Sequence, residues 1–229
     1  PLPIDNSSML NGPCLRTWQF AKPLLDNGYK VCLISAPAFN MGMGKEIIEK
    51  KVIKNFIRYS IKNINGGMIN SIQIIHDKFK PDCIVSISSF RALYFAAKLK
   101  TNRPIWFDQG DLMAEAQIKS EIDKDDRCLI DFLNLEKVIL KKGDVFSTVS
   151  TPQKFSLIGK LGENGRLNRY SVGYEFVYVI PCGIEKKEFA HKKAIIRDKH
   201  VRKSDFVILW AGGYNNWLDV ETLYSGIEK

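Results

Sequence analysis

Three acidic residues, Asp108, Asp111 and Glu115, lie close together in the stretch "WFDQGDLMAEAQ". Asp111 and Glu115 are four positions apart, so they would share one face of a helix if this stretch is helical. Clustered carboxylates could bind the hydroxyl groups of a sugar, hold a divalent ion or act as a general base. The alternative is a structural role at the N-terminus of a helix, where acidic side chains are favourable.

Two glycine-containing segments could bind phosphate. Gly12 precedes a helical pattern, and Arg16 on its first turn could add a bidentate contact to an anion. Gly212 and Gly213 join the apolar run "FVILWA" to a second helical pattern, which is where a diphosphate could approach the backbone. The alternatives are an entry loop with a surface arginine and a plain turn, because the G-x-G-x-x-G spacing is missing.

Other kinds of catalytic site find little support in the sequence. None of the three histidines, His76, His191 and His200, follows a predicted strand, so a histidine base or a metal site is not indicated. The serine-hydrolase pattern G-x-S-x-G and the phosphate-binding pattern G-x-x-x-x-G-K-[ST] do not occur. The five cysteines are scattered without a C-x-x-C pair, which favours a reducing cytoplasm over a disulfide framework or structural zinc.

The elements that must position these residues alternate between strands and helices. Short apolar, β-branched runs predict strands at residues 30–36, 82–88, 104–108, 145–150, 176–181 and 206–211. Helical patterns cover residues 14–28, 44–64, 70–82, 89–100, 128–144, 152–161 and 218–228. Because most strands are apolar nearly throughout, we predict an α/β fold with a doubly wound, mostly parallel, Rossmann-like sheet.

Ligands of such sheets bind beyond the carboxyl ends of the strands. The strand assignments therefore predict that one rim is lined by five residues: Gly12, Ser88, Asp108, Asp111 and Ser150.

The formal charge of +9 indicates either an anionic partner or a lysine-rich solvated surface. Acidic residues are mixed among the lysines and no RNA-reading aromatic signature accompanies them, so nucleic acid is the weaker interpretation. No apolar run reaches the ~18 residues that span a bilayer.

Four stretches together resemble the retaining GT-B glycosyltransferases of family four. They are "NGPCLRTWQFAKPLLDNGYKVCLISA", "DVFSTVSTPQKFSLIGKLG", "GRLNRYSVGYEFVYVIPCGIE" and "FVILWAGGYNNWLDVETLYSGIEK". The resemblance implies an acceptor-side Rossmann-like domain at residues 1–181, a basic linker at 182–204, and the first strand and helix of a donor-binding domain at 205–229. It places Gly12 and Gly212–Gly213 near the donor phosphates. Asp108 and Asp111 fall where many members carry a histidine or an acid facing the reacting sugar.

The resemblance leads us to expect transfer of a sugar from a nucleotide-sugar donor to a glycan or lipid-linked acceptor, with retention and without metal or other cofactor. We expect a cytoplasmic protein, in peripheral contact with the anionic inner face of the membrane and not with nucleic acid. The second domain is incomplete in this sequence, so we expect a fragment that is inactive alone. The alternatives are a non-catalytic Rossmann-like binding module and a nucleic-acid-binding protein.

Overall fold

The computed structural model describes residues 12–36, 47–62, 67–87, 89–109, 112–184, 190, 193–210 and 218–228. The chain divides into two compact units, Pro1–Gly183 and Ile184–Lys229. This division lies beside residue 181, where the sequence predicts that the first domain ends. The two units are described separately below.

The first unit contains six helices and seven strands among its described residues. In chain order they are α1 (Gly12–Asp26), β1 (Val31–Ser35), β2 (Ile47–Ile53), β3 (Phe56–Lys62), α2 (Met68–Phe79), β4 (Ile84–Ile87), α3 (Phe90–Lys98), β5 (Ile105–Asp108), α4 (Leu112–Asp123), α5 (Arg127–Lys142), β6 (Val145–Thr148), α6 (Thr151–Glu163) and β7 (Val177–Val179).

Four of the strands form an all-parallel sheet in the order β4-β5-β6-β7. Helices connect each strand to the next, as parallel pairing requires. The predicted Rossmann-like α/β fold is therefore confirmed. Five of the predicted strands, those that begin at residues 30, 82, 104, 145 and 176, contain β1, β4, β5, β6 and β7.

The main core is packed against this four-stranded sheet. Phe107 on β5 and Phe146 on β6 are fully buried, and their rings stack with centroids 6.2 Å apart. Leu93, Ile139 and Leu161 from α3, α5 and α6 complete the same cluster. These strands are covered by helices, which is why their sequences are apolar nearly throughout.

The other three strands form a mixed sheet in the order β1-β3-β2. Strand β1 pairs with β3 in parallel, and β3 pairs with β2 as an antiparallel hairpin. The predicted helix over residues 44–64 is therefore wrong. Ile48 and Val52 are four positions apart, and that spacing places two residues on one face of a helix and equally on one face of a strand. The turn at Lys54, whose φ is 51°, decides in favour of the hairpin.

The second unit contains the helix α7 (Val220–Ile227), which confirms the predicted C-terminal helix. Asp219 caps it, because its Oδ1 accepts a hydrogen bond from the Thr222 amide at 3.0 Å. The predicted strand at 206–211 is wrong over residues 206–210, which form no strand. A strand needs a neighbour to satisfy its backbone, and Phe206 is instead 90% exposed.

Among the described residues no helix combines the length and the apolar character that crossing a membrane requires.

Candidate functional site

The candidate site lies where three parallel strands end. Asp108 is the last residue of β5, and Ser147 on β6 lies directly beside it in register. The Ser147 hydroxyl donates a hydrogen bond to Asp108 Oδ1 at 2.6 Å. Parallel pairing brings these two polar side chains together, because the carboxyl ends of parallel strands share one edge of the sheet.

Arg16 reaches this edge from the second turn of α1. Its Nε donates to Asp108 Oδ2 and its Nη2 donates to Asp108 Oδ1, both at 2.6 Å. This is the two-pronged geometry in which guanidinium and carboxylate groups fit best. Nη2 also donates to the Ile180 carbonyl at 2.9 Å, just beyond the end of β7. One guanidinium therefore ties α1 to the ends of β5 and β7.

Aromatic side chains surround the ion pair. The Phe20 ring lies 5.1 Å from the Arg16 guanidinium carbon, and the rings of Phe20 and Trp106 are 5.1 Å apart. The Trp106 indole N–H donates to the Ser147 hydroxyl at 2.8 Å. The polar atoms of this cluster are thus bonded to one another within an apolar surround, as buried polar groups require.

The pair is almost completely removed from water, with Arg16 6% exposed and Asp108 1% exposed. The hydrogen bonds that Arg16 donates to the Asp108 carboxylate raise the pKa of Arg16 above its usual value, so the guanidinium stays charged at every physiological pH. Removing either partner would leave the other charge buried without its counterion. The arrangement holds the edge of the sheet together and leaves neither side chain open to a ligand.

The sequence predicted both members of this pair as site residues, but with separate roles. Arg16 was expected to bind an anionic ligand, and Asp108 was expected to face the reacting sugar. In the structure the two side chains bind each other.

Two further predicted residues are described. Gly12 begins α1, and a Cβ at this position would meet no atom of the described residues within 4 Å outside the backbone of its own helix. Ser150 is the N-cap residue of α6 and lies two positions beyond the end of β6. Four others, Ser88, Asp111, Gly212 and Gly213, lie outside the described residues.

Helix N-termini meet the same edge. Helices α3 and α6 begin directly after the ends of β4 and β6, and Arg16 draws α1 to the end of β5. Neither N-cap serine, Ser89 or Ser150, makes a side-chain cap hydrogen bond in the described part of the chain. None of these three helices carries an acidic residue in its first turn. Their first-turn amides therefore present positive potential that no carboxylate on the same turn offsets.

Sequence reasoning missed Ser147 and Trp106, whereas Gln109 follows a predicted strand and was expected at the edge of the sheet. Gln109 is 6% exposed, donates its backbone N–H to the Ser147 carbonyl, and lines a small recess with Met113 and Glu136. The signal for Ser147 was available, because a serine inside an apolar strand next to the strand of an acid invites a hydrogen bond. Across the described ranges, no cluster of three or more histidine, cysteine or acidic side chains could hold a metal ion.

Comparison with protein-family models, with curated proteins and with solved structures found no match to this chain.

Proposed function

We propose that the protein is a retaining glycosyltransferase of the GT-B type. It would take a sugar from a nucleotide-sugar donor and transfer it to a glycan or lipid-linked acceptor. The support comes from the four sequence stretches that resemble this family, together with the parallel Rossmann-like sheet.

The observation that carries the proposal is the set of helix N-termini at the carboxyl edge of the sheet. Three of them, those of α1, α3 and α6, have no acidic residue in the first turn, and all three keep amide donors there although Pro13 and Pro152 each remove one. Such termini favour phosphate groups, because the amides donate hydrogen bonds and the helix dipole is positive there. A diphosphate is the part of a nucleotide sugar that this edge suits best.

In this proposal the buried pair of Arg16 and Asp108 holds other elements of the site in place and does not contact the substrate. The pair holds α1 against the ends of β5 and β7, and in this proposal it thereby positions Gly12 at the rim. Because no side chain of the described residues would contact a Cβ at Gly12, we propose that a ligand approaches the backbone closely there. Asp111, three residues after Asp108, is then the acid that we propose meets the sugar or the acceptor hydroxyl.

The reaction breaks the bond between the sugar C1 and the diphosphate oxygen and forms a bond between C1 and the acceptor oxygen. The acceptor hydroxyl gives its proton to the departing diphosphate oxygen, and the nucleoside diphosphate leaves. The protein contributes by stabilising the negative charge that develops on the leaving diphosphate and by orienting the acceptor. Gly212 and Gly213 are proposed as a phosphate-binding segment of the second unit.

We also propose that the protein works in the cytoplasm at the inner face of the membrane. The net charge of +9 would hold it beside anionic lipid, where lipid-linked acceptors lie. We do not propose that this positive charge binds nucleic acid, because acidic residues are interspersed among the basic ones.

The first test measures binding of nucleoside diphosphates to Gly12→Val. A valine side chain at the rim should weaken binding by roughly tenfold or more, because the backbone can no longer be approached closely. Gly159→Val is the matched control, since Gly159 also lies in a helix with no atom within 4 Å of a Cβ but is far along α6. Equal affinities for both variants would contradict the phosphate site.

The second test is Asp111→Asn in the natural protein, with sugar transfer and denaturant midpoint measured side by side. Loss of transfer at an unchanged midpoint supports a role for Asp111 at the reacting groups. Unchanged transfer refutes that role, because asparagine also caps helices well. A parallel fall of both quantities makes Asp111 structural.

The second candidate function is a non-catalytic Rossmann-like binding module. It is favoured by the fact that Asp108 is 1% exposed and bound to Arg16. Nucleoside diphosphate binding without any sugar transfer by the natural protein would select this alternative.

A further inference from the structure

We propose that the protein forms a symmetric dimer in which β2 pairs antiparallel with β2 of a second copy. The inference starts from the position of this strand, Ile47–Ile53, at the edge of the three-stranded sheet. Within the described residues its only partner is β3. Alternate residues of an edge strand direct their N–H and C=O groups outward, where another strand can accept them.

Three apolar side chains of this strand are exposed. Val52 is 56% exposed, Ile53 43% and Ile48 42%. Single exposed apolar residues are ordinary, but these three share one seven-residue edge strand. An edge that is both apolar and rich in backbone donors and acceptors fits another β-strand better than it fits a small ligand.

The sequence of β2 is complementary to itself in one register. A two-fold axis perpendicular to the sheet leaves each side chain on the same face of the sheet. Residues directly opposite each other in an antiparallel pair must share a face, so the axis must pass between two copies of the same residue. With the axis at Lys50, Glu49 of each copy lies opposite Lys51 of the other. The same register places Ile48 opposite Val52. Opposite charges and β-branched residues are both favourable cross-strand pairs.

Neighbouring registers lose this complementarity. Moving the axis to Glu49 places the two glutamates opposite each other and Ile48 opposite Lys50. Moving it to Lys51 places Glu49 opposite Ile53 and Lys50 opposite Val52. The cross-strand charge pairs therefore favour the register in which the axis lies at Lys50.

Lys50 itself lies opposite Lys50 of the second copy in this register. Its ammonium group lies 5.8 Å from the centre of the Tyr59 ring on β3. This contact draws the charge toward β3 and away from the axis, and a cation over an aromatic face is attractive. The central pair therefore does not prevent the association.

Cysteine cross-linking tests the register. Residues directly opposite in an antiparallel pair have Cα atoms about 4.5–5.5 Å apart, which a disulfide can bridge. Lys50→Cys should therefore form a dimer disulfide under mild oxidation. Lys51→Cys is the matched control, because its copies lie diagonally at about 7–8 Å, beyond disulfide reach. Both variants are made with Cys83→Ser and Cys182→Ser, which remove the exposed native thiols.

Charge reversal tests the energetics by sedimentation over a concentration series. Glu49→Lys and Lys51→Glu each place two like charges opposite each other, twice per dimer, and should each weaken the dimer about tenfold. The double variant exchanges the charges and should restore the affinity. This rescue separates the dimer contact from any effect of either residue within its own chain.

If the wild-type chain stays monomeric at all concentrations, the proposal is wrong. Lys50 and Lys51 would then prevent the edge strand from pairing with other chains. The proposal is also wrong if the double variant does not restore the dimer, or if Lys51→Cys cross-links as well as Lys50→Cys. Either result would show that the dimer forms through another surface.

Discussion

The two sheets of the first unit differ in how their strands are covered. In the four-stranded sheet, β5 and β6 have helices over them, and Phe107 and Phe146 are completely buried. In the three-stranded sheet, the hairpin strand β2 pairs only with β3 among the described residues, and Phe56 and Ile61 of β3 are the buried apolar side chains of the described hairpin. The burial of polar side chains also differs between the two sheets. In the first sheet Asp108 and Ser147 are buried and bonded, whereas in the second Lys50 and Lys51 face water. The first sheet should therefore tolerate little change, and the second should tolerate much.

The largest effect should come from Arg16→Met, which leaves the Asp108 carboxylate buried without its counterion. We expect the free energy of unfolding to fall by about 3–5 kcal/mol. Arg16→Met combined with Asp108→Leu should recover a large part of that loss, because both charges are then gone. Denaturant melts of the two single variants and the double variant measure the coupling. Additive losses would show that the two side chains do not stabilise each other.

A smaller effect is expected from Gly143→Ala at the C-cap of α5. A Cβ there would lie 2.5 Å from Phe146 Cζ and 2.8 Å from Phe107 Cδ2, so the ring cluster must shift. We expect a loss of about 1–3 kcal/mol in the free energy of unfolding. Gly159→Ala is the control, since its Cβ meets nothing, and it should stabilise α6 by about 0.5–1 kcal/mol. If both variants melt alike, the packing around Gly143 is loose and the four-stranded sheet is less tightly packed than we infer.

The smallest effect should come from Lys54→Gly in the hairpin turn. Lys54 has a φ of 51°, which is unfavourable for a residue with a Cβ. Glycine relieves that cost but loses more chain entropy on folding, so we expect a net gain of about 0.5 kcal/mol. Lys54→Ala keeps the Cβ and should show no gain. Thermal melts at low protein concentration compare the two variants, and a destabilised Lys54→Gly would refute the turn geometry.

The same contrast explains which parts of the fold the sequence could predict. Strands such as β5 and β6 were predicted because a strand covered on both faces is a short, nearly unbroken apolar run. The hairpin was predicted as a helix because the spacing of Ile48 and Val52 suits either element. Only the turn at Lys54 and the pairing with β1 distinguish them, and neither can be recognised from side-chain polarity.

Only part of the candidate site could be predicted from the sequence. Asp108 was singled out because it ends a strand, and Arg16 because it follows a glycine at the start of a helix. That they bind each other could not be predicted, because they are 92 positions apart in the chain. The strand at residues 206–211 was predicted from an apolar run followed by a glycine pair, and these features do not supply the neighbouring strand that pairing requires.

The guanidinium of Arg16 also sets an order of events during synthesis. Its acceptors lie 92 positions later at Asp108 and 164 positions later at Ile180. At about 5–20 residues per second, the ribosome needs on the order of ten to thirty seconds to make that stretch. We therefore expect α1, although it is translated early, to remain undocked on the nascent chain until β7 has emerged. Among the described helices of the first unit, α1 is then translated before the others and is among the last to reach its native place.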